Sequence, residues 1–461
     1  MTHAGAGVDS NSDQRPNLDT RWDGLLADRS AVVGVIGLGY VGLPLSCAFH
    51  DAGLRVVGFD NDPAKIAALR AGRAYIDHPG RERIEALAAS GRFEPTDDPA
   101  RLGEPDALLI CLPTPIGRHQ EPDLSFVVNA GSEIGRSLRA GQLIVLESTT
   151  YPGTTRGDLA HAIAAAAAPG LTHGRDYLLA YSPEREDPGS AGRTTRAIPK
   201  LVGGLDERST RIAARLYGLA IDDVVEVSSA EVAEAAKLLE NVFRAVNIAL
   251  ANEMKVILSK MGIDVWEVIA AASTKPFGFM PFYPGPGLGG HCIPVDPFYL
   301  AWKAREVGEP TKFIELAGEI NRGMPARVVD AVGHALNARS RPLRGSRVLV
   351  LGAAYKPNVD DIRESPAAEI ITRLRAVGAD VAYHDPHVPV FPSMRNYAID
   401  LSSVPLTVSA LQDSAAVVVV TDHDAIDWPL VAEHAPLIVD TRNAIRRHVD
   451  DPPGGDRLVQ A

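Results

Sequence analysis

Two apolar runs, far apart in the chain and each stopping at glycine, constrain this fold more than any other feature. Residues 31–36 (AVVGVI) lead into Gly37, Gly39 and Gly42, and residues 347–351 (RVLVL) lead into Gly352. Each is followed by a helical stretch and a second apolar run, at residues 54–59 and 380–383. A strand that enters a glycine turn and then a helix is the opening unit of a parallel sheet. Further short apolar runs at residues 107–111, 143–147, 177–180, 415–420 and 437–439 suit strands buried on both faces. The expected fold is α/β, with two Rossmann-like doubly wound domains joined by a long central helix. That helix is read over residues 230–261, which are apolar-periodic and free of Gly and Pro. At 1.5 Å per residue it would be about 45 Å long. The expected divisions are a poorly ordered lead-in over 1–29, a first Rossmann domain over 30–228, a central helical domain over 229–325 and a second Rossmann-like domain over 326–461.

Composition excludes several classes of function. A formal net charge of -12 argues against nucleic-acid binding, which concentrates positive charge. An anionic ligand must be held by a few local cations or backbone N–H groups. No run reaches the roughly 18 apolar residues that span a bilayer, so no membrane partner is expected. The N-terminus carries Asp9, Asp13 and Arg15 with no apolar core, unlike a secretory signal. The three cysteines, Cys47, Cys111 and Cys292, are widely spaced and odd in number. That argues against a disulfide framework and a Cys-based metal site, so a cytoplasmic protein without bound metal is expected.

The turn Gly37-Leu38-Gly39-Tyr40-Val41-Gly42 is a GxGxxG between a strand and a helix. Glycine there permits a tight turn, close backbone approach to a pyrophosphate, and helix–strand packing. The helix N-terminus adds N–H groups and positive dipole for phosphate. Asp60 closes the next strand, eighteen residues after Gly42, where a carboxylate accepts from an adenosine ribose. It would repel a 2′-phosphate, so the expected cofactor is NAD, with Lys65 a nearby cation.

The segment YPGPGLGGHCIPVDP over residues 283–297 is the most unusual in the chain. Its glycines and prolines make a compact loop able to hold strained backbone near a ligand. Asp296-Pro297 ahead of residues 298–306 reads as N-cap, first helical residue and helix. Cys292 then sits just before a helix N-terminus, which favours its thiolate. Cys47 and Cys111, in a helix and a strand, fit buried inert thiols. On the central helix Lys237 and Asn241 are spaced i and i+4 and share one face. They suit either stabilisation of an oxyanion or a solvated surface pair.

Together these elements resemble the UDP-glucose/GDP-mannose dehydrogenase family, over nearly the whole chain from about residue 30. The matching stretches are residues 37–44 (GLGYVGLP), 147–154 (ESTTYPGT), 181–184 (YSPE), 237–241 (KLLEN), 285–297 and 352–366 (GAAYKPNVDDIRESP). The run STKPFGFMPFY at 273–283 is most similar to the family's bacterial UDP-N-acetylglucosamine 6-dehydrogenases of polysaccharide biosynthesis. The resemblance implies one domain for NAD, one for a nucleotide sugar, and a homodimer through the central helix. It implies Cys292 as nucleophile, Lys237 and Asn241 as oxyanion stabilisers, and Asp296 and Thr149 as residues that order or activate a water. Glu184 would contact substrate and serve acid/base work, while Thr114, Thr149 and Glu147 would line the nicotinamide pocket. Lys356 and Arg363 match cations that approach NAD, substrate or the domain interface. Arg442, Lys275, Phe282, Tyr283 and Gly289 would be further substrate contacts. One departure matters. Glucose-specific relatives carry an arginine, reaching in from the neighbouring subunit, sixteen residues before the cysteine, where this chain has Pro276 with Lys275 beside it. Either Lys275 takes that part or the sugar is held differently, which favours UDP-N-acetylglucosamine over UDP-glucose, with UDP-N-acetylmannosamine a further alternative.

The chemistry agrees with the resemblance. Taking a primary alcohol to a carboxylate removes four electrons, and the second oxidation needs a tetrahedral adduct. Cys292 supplies one by adding to the aldehyde as a thiohemiacetal, which is oxidised to a thioester and then hydrolysed. The oxyanion needs fixed donors, a role for Lys237 and Asn241 worth about 3 kcal/mol. A two-electron dehydrogenase of similar architecture would form one NADH per sugar rather than two. Replacing Cys292 by Ser is expected to stall turnover after the first oxidation or at a trapped ester. Quantifying uronic acid tests this, and unchanged acid formation would remove the thiol from the mechanism.

Overall fold

The computed structural model describes residues 17–76, 80–117, 121–185, 195–290, 293–392, 394 and 397–461. The first eight strands are β1 (Val32–Ile36), β2 (Arg55–Phe59), β3 (Phe93–Thr96), β4 (Ala107–Ile110), β5 (Leu143–Leu146), β6 (Leu178–Tyr181), β7 (Lys200–Gly204) and β8 (Val224–Glu226). They form one sheet in the order β3-β2-β1-β4-β5-β6-β7-β8. All neighbours are parallel except β6 and β7. The second sheet contains β9 (Arg347–Leu351), β10 (Asp380–His384), β11 (Ala416–Val419), β12 (Ile438–Asp440) and β13 (Leu458–Gln460). Its order is β10-β9-β11-β12-β13, parallel throughout. Both are doubly wound Rossmann-like sheets. In each, chain order reverses beside the first strand, and the crevice beyond the strands' carboxyl ends at such a reversal is where ligands bind.

Every strand read from the sequence is present within a residue or two. β3, β7, β8 and β13 were not anticipated. β3 contains Glu94 and Pro95, β7 contains Lys200, Gly203 and Gly204, and β8 is a short, exposed edge, so none is an apolar run.

The central helix spans Ala230–Lys260, 31 residues, and Ser229 caps it by accepting from the Val232 amide. It packs along a second long helix, Lys312–Asn337, which contains Pro325. The expected division at 325 falls inside that helix. Its later residues Val328, Val329, Val332 and Leu336 belong to the core of the second sheet.

The lead-in needs correction. Residues 1–16 lie outside the described part, but Leu18–Ala27 form a helix docked on the first domain. Leu18, Trp22 and Leu26 recur every four residues and are all buried in the core of the first sheet. The Trp22 indole N–H donates to the Gly141 carbonyl at 3.1 Å. Arg21 pairs with Asp106, and Asp19 with Arg208 and Arg211. The polar residues that suggest disorder lie on the outer face of an amphipathic helix. Trp22→Ala is expected to cost about 3–5 kcal/mol, the usual range for a buried Trp. Chemical denaturation followed by circular dichroism measures it, and an unchanged midpoint would show that the helix does not stabilise the fold.

Candidate active site

A cleft of about 1490 Å³ is lined by the carboxyl ends of both sheets and by the central helix. Its floor on the first sheet is the glycine turn. Gly37 has φ +92°, and a Cβ there would lie 2.5 Å from the Cys111 carbonyl oxygen. A Cβ on Gly42 would lie 1.9 Å from the Gly37 oxygen, so the helix can approach the strand only at glycine. At Gly39 an added Cβ meets nothing within 4 Å, which leaves the turn's cleft side open to a pyrophosphate. Gly37, Gly39, Tyr40, Val41, Asp60 and Lys65 all line the cleft, and Gly42 lies behind the turn. The Asp60 carboxylate accepts from the Leu38 amide at 2.9 Å and pairs with Lys65 at 2.9 Å. The turn therefore fits a dinucleotide.

Lys237 and Asn241, one turn apart, are each only 8% exposed and line the same cleft, which removes the solvated-pair reading. The Asn241 side-chain amide donates to the Asp296 carboxylate at 2.5 Å. Asp296 is not the helix cap expected from the sequence. The helix Asp296–Glu306 is preceded by Val295 as cap residue, and the Phe298 amide closes on the Val295 carbonyl at 3.0 Å. Its carboxylate is turned to the central helix, where Asn241 competes successfully for it. Burial pushes the Asp296 carboxyl up, and Lys237 and the Asn241 hydrogen bond pull it part-way back, leaving it at about 7.

The glycine-rich segment before the cysteine presses against the second domain. A Cβ on Gly285 would lie 2.6 Å from an Arg442 guanidinium nitrogen, and one on Gly289 2.6 Å from the Tyr355 Cβ. The Gly285 amide donates to the Asn252 side chain at 2.9 Å, and the Gly290 amide to the Arg363 carbonyl at 3.0 Å. Cys292 and His291 lie outside the described residues, while Gly290 and Ile293 on either side line the cleft. Arg363 pairs with Asp361 at 2.6 Å and stacks over the Tyr40 ring at 4.6 Å, so the second domain touches the dinucleotide turn directly.

Thr114, Glu147, Thr149, Glu184, Tyr283, Gly289, Lys356 and Arg442 also line the cleft. The Thr114 hydroxyl donates to the Thr149 carbonyl at 2.8 Å. Glu147 is fully buried and paired with Lys200 at 2.5 Å, and it accepts from the Tyr217 hydroxyl. Burial alone would push the Lys200 ammonium down, but the Glu147 and Glu184 carboxylates outweigh it and hold it above its usual range. Cys111, expected to be inert, is half-buried at the cleft wall, and burial beside Glu147 keeps its thiol well above the usual range.

Two expected substrate contacts stand elsewhere. Lys275 is exposed, with its ammonium 5.0 Å from the Phe277 ring, and Phe282 packs edge-on against Phe243 at 5.5 Å. Neither lines this chain's cleft, because residues 273–281 run along the outer face of the central region rather than inward. The sequence reading also missed Arg244, Glu240 and Arg185 on the cleft wall, the last two paired at 2.7 Å. Arg244 is seven residues, two helical turns, after Lys237, and that spacing could have revealed it. Among the described residues no group of three His, Cys, Asp or Glu side chains could hold a metal ion, and no helix is long and apolar enough to cross a membrane.

Three family models match the chain in order: the UDP-glucose/GDP-mannose dehydrogenase NAD-binding domain over residues 31–221, the central domain over 231–323 and the UDP-binding domain over 349–447. The chain belongs to the UDP-glucose/GDP-mannose dehydrogenase family. It is 38% identical over 369 residues to a UDP-N-acetyl-D-glucosamine 6-dehydrogenase from Pseudomonas aeruginosa, covering 80% of this chain and 85% of that one. A UDP-N-acetyl-D-mannosamine dehydrogenase from Pyrococcus horikoshii is 32% identical over 92% of this chain and 97% of its own length. The structure of a UDP-D-ManNAc dehydrogenase from that organism superposes with a TM-score of 0.83 at 31% identity, covering 93% of this chain and 98% of that one. A UDP-glucose dehydrogenase from Pyrobaculum islandicum gives 0.80 at 30% identity, covering 93% and 98%. The chain is thus an NAD-dependent nucleotide-sugar dehydrogenase with a UDP-binding domain.

The buried acid of this site has a thermodynamic signature. With Asp296 raised from 3.8 to about 7 in the fold, the native state binds more protons than the unfolded chain between those values. Its contribution to stability therefore falls as pH rises from about 4 to about 7. Asp296→Asn is expected to lose less stability than the parent between pH 5 and pH 8. Denaturation midpoints at the two pH values measure this, and equal losses in both proteins would contradict the burial of an ionisable acid here.

Proposed function

We propose that this enzyme oxidises the C6 hydroxymethyl of UDP-N-acetylglucosamine to the uronic acid, with two NADH formed per sugar, for polysaccharide biosynthesis in the cytoplasm. The observation that carries the reading is the buried Lys237–Asn241–Asp296 cluster in a cleft shared by the dinucleotide turn and the UDP-binding domain. NAD, when bound, accepts the hydride in each oxidation, and Gly37, Gly39, Tyr40, Val41, Asp60 and Lys65 hold it, with Thr114, Glu147 and Thr149 on the nicotinamide side. Cys292 forms the covalent adduct. Lys237 and Asn241 donate to the oxyanion from fixed positions, which avoids reorganisation as charge develops. Asp296 and Thr149 order the hydrolytic water, and an acid poised at about 7 is suited to taking its proton. Glu184, Tyr283, Gly289, Lys356, Arg363 and Arg442 contact the nucleotide sugar. The first sheet with the helix Leu18–Ala27 acts as the NAD-binding unit, the long helices Ala230–Lys260 and Lys312–Asn337 belong to the central unit, and the second sheet acts as the UDP-sugar-binding unit.

The enzyme works as a homodimer through the central helix. Leu239, Phe243, Leu250, Met254, Ile257 and Met261 form an exposed apolar stripe along it, which a second copy would cover. Lys275 and Phe282, which lie outside this chain's cleft, contact the sugar across that interface.

The N-acetylglucosamine assignment is supported by the STKPFGF run and by the 38% identical relative of that specificity. UDP-N-acetylmannosamine is the second reading, supported by the relative matching 92% of the chain. A panel of UDP-N-acetylglucosamine, UDP-N-acetylmannosamine, UDP-glucose, UDP-galactose and GDP-mannose, followed by NADH absorbance, separates them. UDP-N-acetylglucosamine is expected to have the highest kcat/KM with two NADH per sugar. Faster turnover of another sugar overturns the substrate, and a ratio of one overturns the four-electron course.

A further inference from the structure

The second sheet repeats the opening turn of the first. The Gly37 amide donates to the Phe59 carbonyl at 2.7 Å, and the Gly352 amide to the His384 carbonyl at 2.9 Å, so the turns leaving β1 and β9 stand alike against β2 and β10. The next amide in each turn donates to the aspartate that follows the neighbouring strand, Leu38 to Asp60 at 2.9 Å and Ala353 to Asp385 at 2.6 Å. There the likeness ends. Asp60 lines the cleft, and Asp385 does not. Asp385 is 3% exposed, and donors surround both of its oxygens. One oxygen accepts from the Ala353 and Ala354 amides and from His423 at 3.0 Å, and the other from the His387 and Val388 amides at 2.8 and 3.0 Å. The carboxylate placed to meet a ribose in the first domain is an internal anchor in the second.

His423 follows β11 and is fully buried. Its Nδ1 accepts from the Asn358 amide at 3.0 Å, so the ring proton is on Nε2, which donates to Asp385. One neutral imidazole thus joins the two ends of the segment 353–358 (AAYKPN). Further bonds close the same segment. The Thr421 hydroxyl donates to the Ala354 carbonyl at 2.6 Å. Asn358, at a left-handed φ of 61°, donates through its side chain to Asp424 at 2.7 Å and accepts from the Asp424 amide at 3.0 Å. Between those ends, Tyr355 and Lys356 line the cleft. Tyr355 also packs on the cysteine loop, where a Cβ on Gly290 would lie 3.0 Å from its ring. Without His423, Asp385 keeps four amide donors, whereas the Asn358 amide loses the acceptor that fixes it.

We propose that His423 is a positioning residue for the nucleotide: bonded to Asp385 on one side and to the Asn358 amide on the other, it holds the segment 353–358 so that Lys356 meets the diphosphate. The inference rests on the reading of Lys356 as a nucleotide-sugar contact and extends it to a buried residue outside the cleft. It also gives the second Rossmann-like turn a task of its own. Ala354 stands where the first turn has the open Gly39, and the aspartate is tied to a histidine. The second turn therefore presents side chains to its ligand where the first presents backbone.

Isothermal titration of UDP and, separately, of NAD into the full-length protein tests this without depending on which sugar is oxidised. His423→Gln keeps a donor for Asp385 and loses the acceptor for the Asn358 amide. It is expected to weaken UDP binding about tenfold, the scale of one charge-assisted hydrogen bond, and to leave the NAD Kd within about twofold. His423→Asn, whose Oδ1 takes the place of Nδ1, is expected to bind UDP within about threefold of the parent. Lys356→Met is expected to weaken UDP binding at least as much as the glutamine variant, and adding His423→Gln to it to cost little more, because both act through one group. Asp424→Ala, an exposed change that removes another bond to Asn358, is expected to weaken UDP binding in the same direction and serves if the glutamine variant does not fold. Unchanged UDP binding in His423→Gln, with Lys356→Met impaired, overturns the role of His423. Additive losses in the double variant, equal UDP losses in the glutamine and asparagine variants, or an equal loss of NAD affinity overturn it too. Unchanged UDP binding in Lys356→Met removes Lys356 from the nucleotide's contacts, and this inference with it.

Discussion

The hydrogen bond from the Asn241 amide to the Asp296 carboxylate holds the rest of the site in place. It ties the central helix to the first residue of the helix that follows the cysteine loop. Eleven residues later on the same helix, Asn252 accepts from the Gly285 amide at the other end of that loop. Two asparagines on one rigid element thus anchor both ends of the segment bearing Cys292. A loop held this way loses little further entropy when substrate arrives, and orientation of reacting groups is a large part of a catalytic barrier. Asn252 is itself locked by Asn321, whose amide donates to the Ala245 carbonyl, so the anchor belongs to a fully bonded buried network.

The glycines of the loop have a separate cause. They permit contact with the second domain at distances no side chain would allow, against Arg442 and Tyr355. The Arg363–Tyr40 stack closes the circuit between the second domain and the dinucleotide turn. Cofactor turn, cysteine loop and UDP-binding domain are consequently adjacent although the turn at residues 37–42 lies far ahead of the loop at 283–297 and the domain at 349–447. The central helix anchors the loop at both ends and packs on β6 and β7 of the first sheet.

Much of the fold was legible because parallel strands buried on both faces are apolar runs whatever surrounds them. The central helix was read to within one residue of its end at Lys260, since an unbroken periodic stretch flanked by Ser229 and Gly262 admits few alternatives. The legible part ended where tertiary partners decide. β3 carries charge at the sheet's edge, β7 carries Lys200 to meet the buried Glu147 and glycine where Ser229 and Thr210 press close, and the N-terminal helix hides an apolar face among polar residues. In the site, the residue types at Lys237, Asn241 and Asp296 were evident, but the bond that joins them depends on a fold that brings positions 241 and 296 together. Asp296 before a proline resembled a cap for the same local reason that made it available to Asn241. Glu147 was visible, whereas Lys200, which pairs with it, and Tyr217, which donates to it, come from a separate strand and helix. A single lysine such as Lys255 in a helix reads as solvated, and only its burial reveals otherwise.

The central claim is that one helix face, the cysteine loop and the dinucleotide turn converge on the sugar's C6. A crystal structure of the Cys292→Ser protein with NAD and UDP-N-acetylglucosamine measures this directly. The account predicts the sugar's C6, in whichever oxidation state the variant stalls, within about 3.5 Å of the residue 292 side chain, the spacing of a near-attack geometry, with its oxygen within hydrogen-bond reach of Lys237 or Asn241. A sugar bound with C6 facing away from the Lys237–Asn241–Asp296 cluster would contradict it.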